Sequence, residues 1–111
     1  MNDELKYGLQ DTDIIQVISA LQQNQNITKI VLFGSRAKGT YHAGSDVDLA
    51  LFGDNLGLND ILDLSIELEK LNLPYLFDLI IYNRIKETTL LDHINRVGEK
   101  LFERESKSTF S

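Results

Sequence analysis

The sequence predicts an α+β protein, a small mixed β-sheet with helices packed on it. Three observations carry this. An apolar run, Ile30-Val31-Leu32-Phe33, stops abruptly at Gly34 and reads as a buried strand. Two further runs of strand character follow, Asp46 to Phe52 and Tyr75 to Tyr82. Between and around them lie segments whose apolar residues recur at helical spacing. The resulting order is helix, strand, turn, strand, helix, strand, helix.

Taken along the chain, Met1 to Gln10 carry no strong pattern, although Leu5, Tyr7 and Leu9 are placed to cover the first helix. Asp11-Thr12-Asp13 brings capping side chains and negative charge to a helix start. Ile14, Val17, Ile18 and Leu21 then form one apolar face, and Gln22 to Asn26 end the helix in a polar loop. The first strand is expected over Thr28 to Phe33. A loop, Gly39 to Gly44, leads to the second strand, and its two Gly with Tyr41 and His42 suit a mobile flap. His42 reads either as a solvated loop residue or as a contact to a phosphate or base.

Gly53-Asp54-Asn55 turns the chain into a helix from about Leu58 to Leu71, with Asn59 or Asp60 near its start. Its apolar arc is broad, enough to pack on the sheet and on a partner. Asn72 and Pro74 end it. The run Tyr75 to Tyr82 is apolar on both faces and reads as a central strand in which Asp78 is the anomaly. The last helix starts near Lys86 or Thr88, buries Leu90, Leu91, Ile94 and Val97, and ends at Gly98. His93 reads as a surface residue of that helix. Glu99 to Glu103 is undecided between strand and helix. Residues 1–10 and 104–111 are expected to be poorly ordered ends of one domain spanning 1–111.

Bulk properties narrow the function. At 111 residues, 42% apolar and 25% charged, the chain has the composition of an ordinary globular domain. It has no Cys, so disulfides and thiolate metal sites are excluded. No apolar run approaches the roughly 20 residues that span a bilayer, and the acidic start is unlike a signal peptide. A cytoplasmic location is therefore expected. The net charge of −6, with Lys and Arg scattered, disfavours direct nucleic-acid binding and suits a basic protein partner.

The chemistry concentrates between Phe33 and Leu51. Side chains alternate along a strand, so Asp46 and Asp48 project to the same side. Two anions there repel one another and resist burial, which a divalent cation would resolve; oxygen-only ligation suits Mg²⁺. Gly34 lets a phosphate approach the backbone, and Ser35 adds a hydroxyl at the start of a short helical turn. Phosphate ligands at one strand end beside metal ligands at the next describe a nucleoside-triphosphate site.

Gly34-Ser35, ten residues, then Asp46-Val47-Asp48 resembles the signature of the DNA polymerase beta-type nucleotidyltransferase superfamily. The fuller strings, Leu32-Phe33-Gly34-Ser35-Arg36-Ala37-Lys38-Gly39 and Gly44-Ser45-Asp46-Val47-Asp48-Leu49-Ala50, resemble its minimal nucleotidyltransferases (MNT), the antitoxins of HEPN/MNT pairs. The resemblance implies a polymerase-beta palm-like fold. It implies two Mg²⁺ held by Asp46, Asp48 and Asp78 as metal and catalytic residues, with Asp78 supplying the third carboxylate from an adjacent strand. It also implies ATP as donor, nucleotide-binding positions at Gly34, Ser35, Arg36 and Ser45, and a HEPN RNase toxin as partner, silenced by AMP transfer to a tyrosine. Arg36 and Lys38 could equally pair with acidic neighbours. Two alternatives stand beside this: a catalytically silent module that neutralises a toxin by occlusion, and a small-molecule nucleotidyltransferase of the aminoglycoside type.

Overall fold

The computed structural model describes residues 5–105. Its element order is β1 (Leu5–Lys6), β2 (Leu9–Gln10), α1 (Asp11–Leu21), β3 (Lys29–Phe33), α2 (Gly34–Lys38), β4 (Val47–Phe52), α3 (Leu58–Glu69), β5 (Phe77–Ile81), a 3₁₀ turn (Tyr82–Arg84), α4 (Thr88–Val97) and β6 (Glu99–Glu103). The main sheet has four strands in the order β5-β4-β3-β6. β3 pairs antiparallel with both β4 and β6, whereas β4 and β5 are parallel. The sheet is therefore mixed, as the element order predicts.

The two faces of the sheet differ. One presents Ile30, Leu32, Val47, Leu49, Leu51 and Ile81 to α1 and α3, whose Val17, Leu21, Leu64 and Leu68 complete the larger core. Leu21, Ile27, Ile30, Leu32, Leu49 and Leu51 have no exposed surface. Each such side chain contributes on the order of 1.5–3 kcal/mol of burial. The other face carries Val31, Phe33 and Ala50, covered by α4 through Ile94 and Leu90 and by Tyr82 and Ile85. Gly98 ends α4 in tight contact with the sheet. A Cβ there would meet the Ile94 carbonyl oxygen and lie 2.6 Å from Val31 Cγ1.

Three expectations are corrected. β5 is an edge strand, not a central one, because β3 and β4 occupy the middle of the sheet. Asp78 on it is exposed and needs no partner to offset burial. Second, within the first ten residues, Leu5 to Gln10 form a two-stranded antiparallel hairpin with Leu9 buried. Tyr7 and Gly8 take the left-handed turn between its strands. Third, Arg104 is anchored rather than loose. Its backbone N–H donates to Thr28 O at 2.8 Å, and its guanidinium to Ile27 O at 3.1 Å and Gln22 O at 3.0 Å. Residues 1–4 and 106–111, the rest of both expected ends, lie outside the described residues.

Smaller differences have local causes. Asp11 and Asp13 fall inside the first turn of α1 instead of capping it, and Asp13 accepts the Tyr75 hydroxyl at 2.8 Å. At α3, Asp60 accepts the Gly57 N–H at 2.8 Å and Asn24 Nδ2–H at 2.9 Å, which fixes that helix start. Glu99 to Glu103 is a strand on the far edge of the sheet.

Candidate active site

The strand register builds the site. Phe33, the last residue of β3, stands opposite Asp48 in the antiparallel pair, and Asp48 stands beside Asp78 in the parallel pair. One row across the sheet thus reads Phe33, Asp48, Asp78. Directly paired positions share a face, which here is the one covered by α4. Asp46 precedes β4 and lies two residues from Asp48, hence on the same side. Asp48 is half-buried, while Asp46 and Asp78 are exposed.

The electrostatics follow from that placement. Burial, then the charge of Asp78, then that of Asp46 push the Asp48 carboxyl above the usual carboxylate range. Among the described residues, no three His, Cys, Asp or Glu side chains converge closely enough to hold one metal ion between them. The carboxylates are adjacent but form no ready-made cage. An all-oxygen set whose central member is disfavoured as an anion by burial and by its neighbours' charges still fits a hard cation such as Mg²⁺. Such an ion needs only one or two protein carboxylates when phosphates and water complete its shell.

At Gly34 the backbone turns from β3 into α2 with φ of +78°, a conformation that favours glycine. A Cβ at this position would collide with Asp48 Oδ2. The turn and the carboxylate are thus in direct apposition, and no other residue fits between them. Ser35 follows at the second position of α2, half-buried.

Arg36, expected among the nucleotide-binding positions, meets backbone carbonyls here. It is the buried charged residue of the core, 2% exposed. Nη1 donates to Tyr7 O at 2.9 Å, Nη2 to Ser45 O at 2.9 Å and Ala43 O at 3.4 Å, and Nε to Ser45 O at 3.2 Å. Tyr41 and Tyr75 flank the guanidinium at 5.3 and 5.5 Å. Arg36 therefore ties the N-terminal hairpin and the 39–46 loop to α2, which anchors a loop expected to be a mobile flap. Ser45 belongs to the same latch: its hydroxyl oxygen accepts the His42 N–H at 2.9 Å. Neither residue is brought to the carboxylate row by these bonds.

His93 is the residue that sequence reasoning missed. Its Nε2 accepts the Gly34 N–H at 3.1 Å, and its ring stands edge-on to Phe33 with centroids 6.1 Å apart. No local pattern marks it, since the contact depends on where α4 crosses the sheet. A cavity of about 280 Å³ between α3 and β5, lined by Leu68, Leu73, Tyr75 and Leu76 among others, includes none of the three carboxylates.

The family model for Polymerase beta, Nucleotidyltransferase, matches residues 15–107. The chain belongs to that family. Among solved structures, a toxin–antitoxin complex with AMP-PNP is 28% identical, with a TM-score of 0.69 over 83% of this chain and 74% of that one. A mutant of the toxin–antitoxin MntA-HpeT is 26% identical, with a TM-score of 0.68 over the same shares. A tri-AMPylated Shewanella oneidensis HEPN toxin in complex with an MNT antitoxin is 23% identical, with a TM-score of 0.64 over 83% of this chain and 71% of that one, a likeness of fold. No curated protein matches the chain significantly. Among the described residues no helix is long and apolar enough to cross a membrane.

Proposed function

We propose that this nucleotidyltransferase is a Mg²⁺-dependent protein adenylyltransferase, the antitoxin of a toxin–antitoxin pair, acting in the cytoplasm on a tyrosine of a HEPN-family RNase toxin. The observation that carries the reading is the row of Asp48 and Asp78, with Asp46 beside it, abutting the Gly34–Ser35 turn. The likeness to a toxin–antitoxin complex with AMP-PNP supports both the donor and the class of partner. A contact surface is on offer as well. Leu58, Leu62 and Ile66 form an exposed stripe along α3, bordered by Asp63 and Glu67, and the helix carries no basic residue.

In this mechanism Asp46, Asp48 and Asp78 would hold Mg²⁺, which neutralises triphosphate charge and makes the acceptor hydroxyl more acidic. Gly34 gives the phosphates close access to the backbone, and Ser35 offers its N–H and hydroxyl to them, orienting pyrophosphate to leave in line. Asp78, exposed at the edge strand, orients the acceptor hydroxyl and takes its proton. The acceptor oxygen bonds to the α-phosphorus as the bond to the β-phosphate oxygen breaks, and pyrophosphate leaves. Arg36 acts at one remove, by fixing the loop that delivers Asp46.

One observation favours a second reading, the silent occluding module: no three ligating side chains converge among the described residues. The test is incubation of the chain and its co-encoded partner with α-labelled ATP and Mg²⁺. Label on the partner with wild type, absent with Asp46→Asn/Asp48→Asn, is the expected result. A tight complex without label would favour occlusion; in a parallel incubation with an aminoglycoside in place of the partner, label on the aminoglycoside would favour the small-molecule enzyme.

A further inference from the structure

Gly34 is the first residue of α2, so its N–H has no partner within the helix. It also holds a left-handed φ, open to glycine, so close to Asp48 that no Cβ would fit. Among the described residues, the group that reaches the N–H belongs to α4. His93 Nε2 accepts it at 3.1 Å. Acceptance at Nε2 requires that nitrogen to be unprotonated, which leaves the ring's hydrogen on Nδ1. The imidazole is held from a second side by the edge-on contact with Phe33, whose register partner is Asp48. Gly98 lets the end of α4 press onto Val31 of β3. The helix therefore carries His93 to the end of the strand from which the turn departs.

We infer that His93 is a positioning residue for the nucleotide site: by accepting the Gly34 N–H it holds the turn in its left-handed shape and presents the next donors, the N–H and hydroxyl of Ser35, to the phosphates. The Gly34 N–H is thereby occupied by the protein, and Ser35 becomes the principal phosphate ligand of the turn. The nucleotide part of this inference rests on the function proposed above, while the grip on Gly34 does not.

The two parts separate in one experiment on the full ¹⁵N-labelled chain. Hydrogen exchange is followed at the Gly34 amide, and AMP-PNP binding with Mg²⁺ is measured by calorimetry, in wild type, His93→Ala, His93→Gln and His93→Phe. Loss of the acceptor in His93→Ala is expected to speed exchange at Gly34 and weaken AMP-PNP about five- to tenfold, the effect of one hydrogen bond. Gln offers a side-chain oxygen and is expected to keep both within about twofold of wild type. Phe fills the space without accepting, so it should behave as Ala does and decides the matter if Ala does not fold. Unchanged exchange at Gly34 in Ala and Phe overturns the proposal. Equal weakening in Gln and Ala also overturns it, because packing alone would then explain the effect. If wild type binds no AMP-PNP, the nucleotide part is overturned with the proposed function, and the exchange data alone report whether His93 holds the turn.

Discussion

Replacing Asp48 by Asn removes a charge that burial and two neighbouring carboxylates disfavour, while nearly preserving the side chain's shape. Asp48 is flanked by Asp78 in the paired position of β5 and by Asp46 two residues earlier. Paired positions on neighbouring strands lie about 5 Å apart, where two like charges cost about 0.8 kcal/mol in water and about 3 kcal/mol at an effective dielectric of 20. Because Asp46 and Asp78 are exposed, screening favours the lower figure. Asp48→Asn should therefore stabilise the metal-free protein by about 1 kcal/mol at neutral pH, or about 4–8 °C in melting temperature. The folded protein holds a proton on Asp48 more readily than the unfolded chain, so the pH dependence has a definite sign. Wild-type stability falls as pH rises from the unfolded carboxylate value through the raised folded value. The advantage of Asn is full above that window and vanishes below it. Thermal melts in EDTA at low salt, across that pH range, measure the difference. Adding saturating Mg²⁺ and ATP should reverse the order, since only wild type would gain from ligation. An Asn variant that melts at or below wild type in EDTA at neutral pH would refute the electrostatic account of the site.

Gly34→Ala places a Cβ against Asp48 Oδ2 at a positive φ. It should cost about 1–3 kcal/mol by urea denaturation and abolish the thermal shift with Mg²⁺ and AMP-PNP. Arg36→Met leaves the Tyr7, Ala43 and Ser45 carbonyls without their donor. A loss of about 2–4 kcal/mol is expected, and a change within 0.5 kcal/mol would show that the latch is dispensable. Arg104→Ala releases the Gln22 and Ile27 carbonyls and should speed amide exchange along β6 and at Ile27, leaving α4 unaffected.

What the sequence revealed and what it hid divide along a physical line. Phe33 to Leu51 was legible because its chemistry is local: a strand that stops at a glycine, and carboxylates two apart at the mouth of the next strand. The helices were legible from their periodicity. Strand order is not local, and β5 reads as central by composition although it lies at the edge, which leaves Asp78 exposed. Arg36 sits in a string that resembles nucleotide-binding loops, yet its donors meet carbonyls from Tyr7, Ala43 and Ser45, and no short-range pattern encodes that convergence. His93 lies 59 positions from Gly34 along the chain, and only the packing of α4 on β3 joins them. The hairpin of residues 5–10 escaped notice because each of its strands is only two residues long.

The asymmetry of the sheet explains where chemistry can occur. One face is sealed by α1 and α3 over an apolar core, so a carboxylate placed there would carry the full cost of burial. On the opposite face, among the described residues, Ile94 and Leu90 of α4 with Tyr82 and Ile85 pack over Val31, Phe33 and Ala50, while Asp78 on the β5 edge is exposed. The carboxylates lie on this second face, along the row that runs from Phe33 through Asp48 to Asp78. On the covered side of the row His93 and Gly34 belong to the fold; on its open side Asp78 faces solvent. In the proposed function the partner's tyrosine enters from that open side.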